Sequence, residues 1–180
     1  MNGLHCMLDF ETLGQRPSTA VLSLGAVLFE RERICKQQYW TFDVNEQIKL
    51  GRTVDFSTLQ WWMKQGSEAK SVFQASGGVT VGKFRLEFLD FIGCADYAGS
   101  SEIKLWGNGA DFDVSIFYDF WTRTGNFPTP FKFWNTRCFR TFNALRNCKD
   151  LVARKGTHHN ALDDAVYQAE CVIASLREKP

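Results

Sequence analysis

The sequence has no C-x-x-C pair, and its six cysteines, at positions 6, 35, 94, 138, 148 and 171, share no paired spacing. That argues against a zinc site or a disulfide framework, and it makes reduced thiols in a cytoplasmic protein the expectation. No apolar run approaches the length of a membrane span, and a carboxylate stands as early as residue 9, so neither a signal-peptide core nor a membrane partner is expected. Repeats, low-complexity tracts and linker-like stretches are also missing. At 180 residues, 44% apolar and 23% charged, the chain fits one domain, 1–180. Net charge is only +1, but it is unevenly spread. Between residues 121 and 160 eight Lys or Arg face one acid, Asp150, an arrangement that points to a polyanion partner.

What the chain does have is aromatic: 16 Phe and 6 Trp. It also has a short acidic stretch at its start, LDFETLG over residues 8–14. Apolar residues precede Asp9 and Glu11, and Gly14 to Pro17 break the pattern, so the two acids end a buried strand. Side chains two apart on a strand share a face. Two carboxylates held together beside apolar residues require a cation or a proton. The apolar run 20–29 reads as a central strand, and 36–42 pairs back after a charged turn, giving three antiparallel strands. Residues 58–65 form a helix capped by Asp55 or Ser57, in which Trp61 and Trp62 diverge by about 100°, leaving at least one partly exposed. Ser67 caps a short helix to Phe73, and Gly77 and Gly78 mark a loop. Val81, Phe84, Phe88 and Ile92 fall at helical spacing. Further expectations are a strand at 103–106, a helix from Asp111 to Arg123 with Asp111 as its cap, a loop at 125–130, a strand at 131–135, a basic helix at 136–147, and a last helix from Ala161 to Leu176. The sum is an α/β domain around a mixed sheet.

Two more acidic sites complete a constellation. Asp113 follows a strand through GNGADFD, where ligands gather in open α/β sheets. In HHNALDDA, Asn160 is a good helix cap, Asp163 occupies the third helical position as a variant capping box, and Asp164 is free for other duty. His159 precedes Asp164 by five residues, about 140° away on a continuous helix, so the two cooperate only if His159 lies on the entering loop. Four carboxylates without thiolates select hard cations such as Mg²⁺ or Mn²⁺, and two such ions about 3.5–4 Å apart suit in-line attack on a phosphodiester. A neutral imidazole can take a proton from the attacking water.

The ordered set D-x-E (Asp9, Glu11), N-x-x-x-F-D (Asn108, Phe112, Asp113) and H-x-A-x-x-D (His159, Ala161, Asp164) resembles the three motifs of the DEDDh 3′-to-5′ exonucleases. More narrowly, LDFETLG, LQWWMKQ, WGNGADFD, FWNTR and HHNALDDA resemble small phage and prophage proteins of the exodeoxyribonuclease VIII-like or 3′-5′ exoribonuclease type. The resemblance implies a ribonuclease H-like fold of about five strands and metal ligation by Asp9, Glu11, Asp113 and Asp164. It implies His159 as general base and Glu11 orienting the water. Thr12 and Leu13 would meet the terminal nucleotide through their backbone, with Trp61 stacking on it and Asn108 and Phe112 beside it. The substrate would be single-stranded or 3′-overhang DNA or RNA, in the cytoplasm of a bacterial host if the protein is phage-encoded. A homodimer is compatible with the aromatic content. Either ring of the His158–His159 doublet could face the site, and motif spacing favours His159. The competing readings are an idle nucleic-acid-binding module or a phage–host interaction module on the same fold.

Overall fold

The computed structural model describes residues 3–74, 78–93, 102–123 and 127–178. Gly77, Cys94 and Gly125 lie outside them. Five strands form one mixed sheet in the order β3-β2-β1-β4-β5. β1 (His5–Thr12), β2 (Val21–Phe29) and β3 (Ile34–Thr41) are an antiparallel meander, and β4 (Lys104–Gly107) and β5 (Thr136–Cys138) add in parallel on the other side of β1. The central strands β1 and β2 are buried along their whole length, as their apolar runs require, while β3, with Lys36, Gln37 and Gln38, is a polar exposed edge.

Alternation on β1 sorts the core into two layers. Cys6, Leu8 and Phe10 face a layer shared with α4 (Val81–Phe91) and α5 (Ser115–Thr122), where Phe84, Phe88, Phe117, Phe120 and Trp121 make edge and tilted ring contacts. Met7 faces the other layer, with Val27, Phe29, Trp106 and the apolar stripe of α7 (Ala161–Arg177). Most of the aromatic excess is therefore core. A third, smaller cluster of Leu13, Ala20, Leu22 and Trp62 packs α2 (Phe56–Met63) over the end of β1.

Several expectations shift. Residues 131–135 are not a strand: Phe133–Asn135 are a 3-10 turn, and the edge strand starts at Thr136, taking the first three residues of the expected basic helix and leaving α6 as Phe139–Arg146. Alternating Phe and Trp carry strand propensity, but Phe133 and Trp134 are 78% and 59% exposed and pair with nothing in the sheet. A short helix, α1 (Val44–Lys49), capped by Asp43, follows β3. Ser67 begins α3 (Ser67–Lys70) rather than capping it, because Gly66 is the cap and a 3-10 turn carries on to Gln74. Asp55 is the cap of α2, accepting from the Ser57 N–H.

Candidate active site

Asp9 and Glu11 leave β1 on the α7 side, one and two pleats beyond Met7. β1 outruns its parallel neighbour here, since β4 ends at Gly107 opposite Leu8. The chain turns at Asn108 and Gly109 and enters a wide π-helical turn, Ala110–Val114, that brings Asp113 back under the strand ends. One Asp113 oxygen accepts the Phe10 N–H at 3.2 Å and the other the Gly109 N–H at 2.9 Å. Asp113 thereby ties β1 to the β4 turn. Gly107 is required for this, as a Cβ there would stand 2.7 Å from the Asp113 Cβ. The wide turn also explains why Asp111 is not the helix cap: Gly109 occupies that position and Asp111 is exposed.

The fourth acid, Asp164, arrives on α7. Its first turn rests directly on β2 at Gly25, the residue paired with Asp9, where any Cβ would fall 2.2 Å from the Ala161 carbonyl oxygen. Asn160 caps the helix, accepting from the N–H groups of Leu162 and Asp163. Asp163 does not close a capping box on Asn160 but accepts the Thr157 N–H at 2.8 Å, holding the entering loop. His159 lies on that loop with φ 63°, a left-handed conformation, and its N–H donates to Asp164 Oδ2 at 3.0 Å. This break from the helix brings imidazole and carboxylate together. One ligand atom each from Glu11, His159 and Asp164 lie within 4.8 Å of one another. The exposed His158 lines the cleft but is not part of that cluster.

One participant was not legible in the motifs. Gln168, one turn beyond Asp164 on the same face, is buried and donates its Nε2 to Asp9 Oδ1 at 2.7 Å. The i, i+4 spacing from Asp164 was the available signal.

Burial dominates the electrostatics. Asp9 is pushed well above the usual carboxylate range by burial, then by the charges of Asp113, Glu11 and Asp164, with the Gln168 hydrogen bond opposing. Glu11 rises to about 8 through burial and the nearby Asp164 and Asp113. Asp113 rises to about 6 by burial, although its two backbone donors favour the charged form. Burial lowers the His159 pKa, keeping the imidazole neutral at pH 7. An all-oxygen set whose members resist ionising together is the environment a hard divalent cation relieves. The donor set fits such an ion.

A family model described as the 3′-5′ exoribonuclease Rv2179c-like domain matches residues 4–176. The chain belongs to that family. An exodeoxyribonuclease of Enterobacteria phage T4 is 27% identical over 169 residues, covering 81% of this chain and 74% of the phage protein. Among solved structures, the nuclease domain of 3′hExo, a DEDDh family member bound to rAMP, superposes with a TM-score of 0.63 at 14% identity, over 96% of this chain and 90% of that one. E. coli exonuclease I in complex with a dT13 oligonucleotide gives 0.59 at 12% identity. It is covered over 95% of this chain, which spans 40% of the exonuclease I chain. These structures share the fold, the mixed-sheet α/β architecture of ribonuclease H-like DEDDh exonucleases. The family makes the chain a 3′-to-5′ exonuclease-type hydrolase domain.

For this exonuclease domain, the remaining expected residues divide. An open cleft of about 910 Å³ is lined by the four acids, both histidines, Thr12, Trp61, Asn108 and Phe112. Trp61, 40% exposed, meets the His159 ring edge-on at 4.9 Å. Leu13 is elsewhere: its side chain is core, its N–H donates to the Ala20 carbonyl, and its carbonyl accepts from Asp55. The Thr12 carbonyl is likewise occupied by the Trp62 indole N–H at 2.9 Å. Leu13 is therefore not among the residues that line the cleft. The basic segment is not one patch either. Arg140, Lys149 and Arg154 line the cleft, whereas Arg123 pairs with Asp119, Lys132 with Glu102, and Arg146 holds the Ser175 carbonyl.

Proposed function

We propose that the domain hydrolyses phosphodiester bonds from the 3′ end of single-stranded or 3′-overhanging DNA or RNA, releasing nucleoside 5′-monophosphates. The observation that carries this reading is the convergence of Glu11, His159 and Asp164 beside the buried Asp9 and Asp113. Asp9, Glu11, Asp113 and Asp164 would hold two divalent cations, Mg²⁺ or Mn²⁺. Bound there, the ions would make a water molecule more acidic and offset the charge developing on the leaving 3′ oxygen. His159, neutral at pH 7, takes the proton of that water on a ring nitrogen. The αL backbone at His159 and the edge of Trp61 limit how far the ring can swing. Glu11 orients the water, and Gln168 holds Asp9 in place through its amide. Trp61 at the rim offers a face to a terminal base, since aromatic stacking accepts any base. Arg140 and Lys149 provide positive charge for backbone phosphates. All five groups come from one chain, so a dimer is not needed to complete the site.

Matched RNA and DNA oligonucleotides, labelled at either end, test this with Mg²⁺, Mn²⁺ or chelator. The expected result is cation-dependent stepwise shortening of 5′-labelled strands and immediate release of mononucleotide from 3′-labelled ones, both lost in Asp9→Asn. Strands that are retarded in a gel yet never shortened would sink the hydrolytic reading in favour of a binding module.

A further inference from the structure

Both oxygens of Asp164 already have partners within the protein. Its Oδ2 accepts the His159 N–H, and its Oδ1 is ion-paired with the Arg154 guanidinium. Arg154 is held in turn: its guanidinium carbon lies 5.0 Å from the centre of the Tyr167 ring, and its Nε is buried with no hydrogen-bond partner among the described residues. Both Tyr167 and Arg154 line the cleft. An arginine on one of four clustered acids is a counterion for carboxylates that otherwise repel. A divalent cation and a guanidinium cannot both stand close to the same carboxylate oxygen without strong mutual repulsion.

We infer that Arg154 is an exchangeable counterion: it neutralises Asp164 when cations are absent and passes to a backbone phosphate of the nucleic-acid strand when they bind. The inference rests on the divalent-cation reading of this site. Three features support exchange over a permanent ion pair. The Tyr167 face gives the planar guanidinium a surface to pivot on without losing its contact. The unpartnered Nε leaves a donor unused in the present pairing, and a phosphate presents more acceptor oxygens than one shared carboxylate oxygen. Arg140 and Lys149 on the same cleft extend a path along which a phosphate backbone can lie.

Exchange predicts two opposite effects of one substitution. In Arg154→Gln, Mn²⁺ measured by calorimetry should bind about five- to tenfold more tightly than in wild type, because the competing cation is gone. The same variant should bind a phosphorothioate dT oligonucleotide in Ca²⁺ more weakly by fluorescence anisotropy. Its log–log salt slope should fall by roughly 0.7, the amount for one lost phosphate contact on a single strand. Arg154→Lys, keeping the charge, should restore the slope. Unchanged or weaker Mn²⁺ binding in a folded Arg154→Gln, or an unchanged salt slope, would overturn the exchange while leaving the cation site intact. Absence of Mn²⁺ binding in wild type and variant alike would overturn the cation site, and the exchange with it.

Discussion

Raising the pH should do two linked things to this protein, because folding holds its acids above their ordinary pKa values. A group whose folded pKa is raised contributes stability that is present below its unfolded pKa and lost as pH rises through the folded one. Glu11, lifted from 4.5 to about 8, therefore weakens the metal-free protein progressively over that interval. Between pH 7 and 8 its share is about 1 kcal/mol, and Asp9, raised by the same burial, acts in the same direction. The two histidines with lowered pKa values, His5 and His159, act in the opposite sense. They are neutral in the folded state and mostly neutral in the unfolded state above pH 7, so the acids dominate this window. A divalent cation must displace the same protons. Its apparent affinity should rise about fivefold from pH 7 to 8 through Glu11 alone, with Asp9 adding in the same direction. Calorimetric titration with Mn²⁺ in two buffers of different ionisation enthalpy gives affinity and protons released; thermal melts without metal give the stability. Pairing a falling metal-free Tm with a rising Mn²⁺ affinity is the expected outcome. Affinity flat between pH 7 and 8, with no protons released, would refute the electrostatic account.

Other substitutions probe the supports of the site. Gly25→Ala should push the first turn of α7 off β2, costing about 1–3 kcal/mol in urea melts and lowering turnover together with stability. Gln168→Leu removes the donor to Asp9, and metal affinity should drop about tenfold while far-UV circular dichroism stays unchanged. His159→Ala should cut single-turnover hydrolysis by about 10²–10⁴ while leaving Mn²⁺ affinity within a few-fold of wild type.

The acids were legible because their chemistry is local to strand and helix ends. D-x-E places two carboxylates on one face by the geometry of a strand, and the Asn160 cap places His159 off the helix and so toward Asp164. Neither inference needs the rest of the fold. The partners of those acids were hidden, because they depend on packing between distant elements: Gln168 reaches Asp9 across 159 positions of sequence, and Gly25 is defined by what rests on it. Leu13, expected beside the terminal nucleotide, lies in the core for a related reason. Its neighbours in sequence line the cleft, but the pleat turns its side chain into the layer under α2, and its backbone is already paired with Ala20 and Asp55. Phe133 and Trp134 show the limit of periodicity, since their strand-like composition is overridden by a 3-10 turn ahead of the edge strand. Counting charge along the chain also overstated the basic surface, because Arg123, Lys132 and Arg154 are already ion-paired within the fold.

Anomalous diffraction from crystals soaked in Mn²⁺ asks the central question outright. Peaks in contact with the carboxylates of Asp9, Glu11 and Asp164 are the expected result. Well-ordered Mn²⁺ bound only elsewhere, with these carboxylates unchanged, would contradict the whole account of the site.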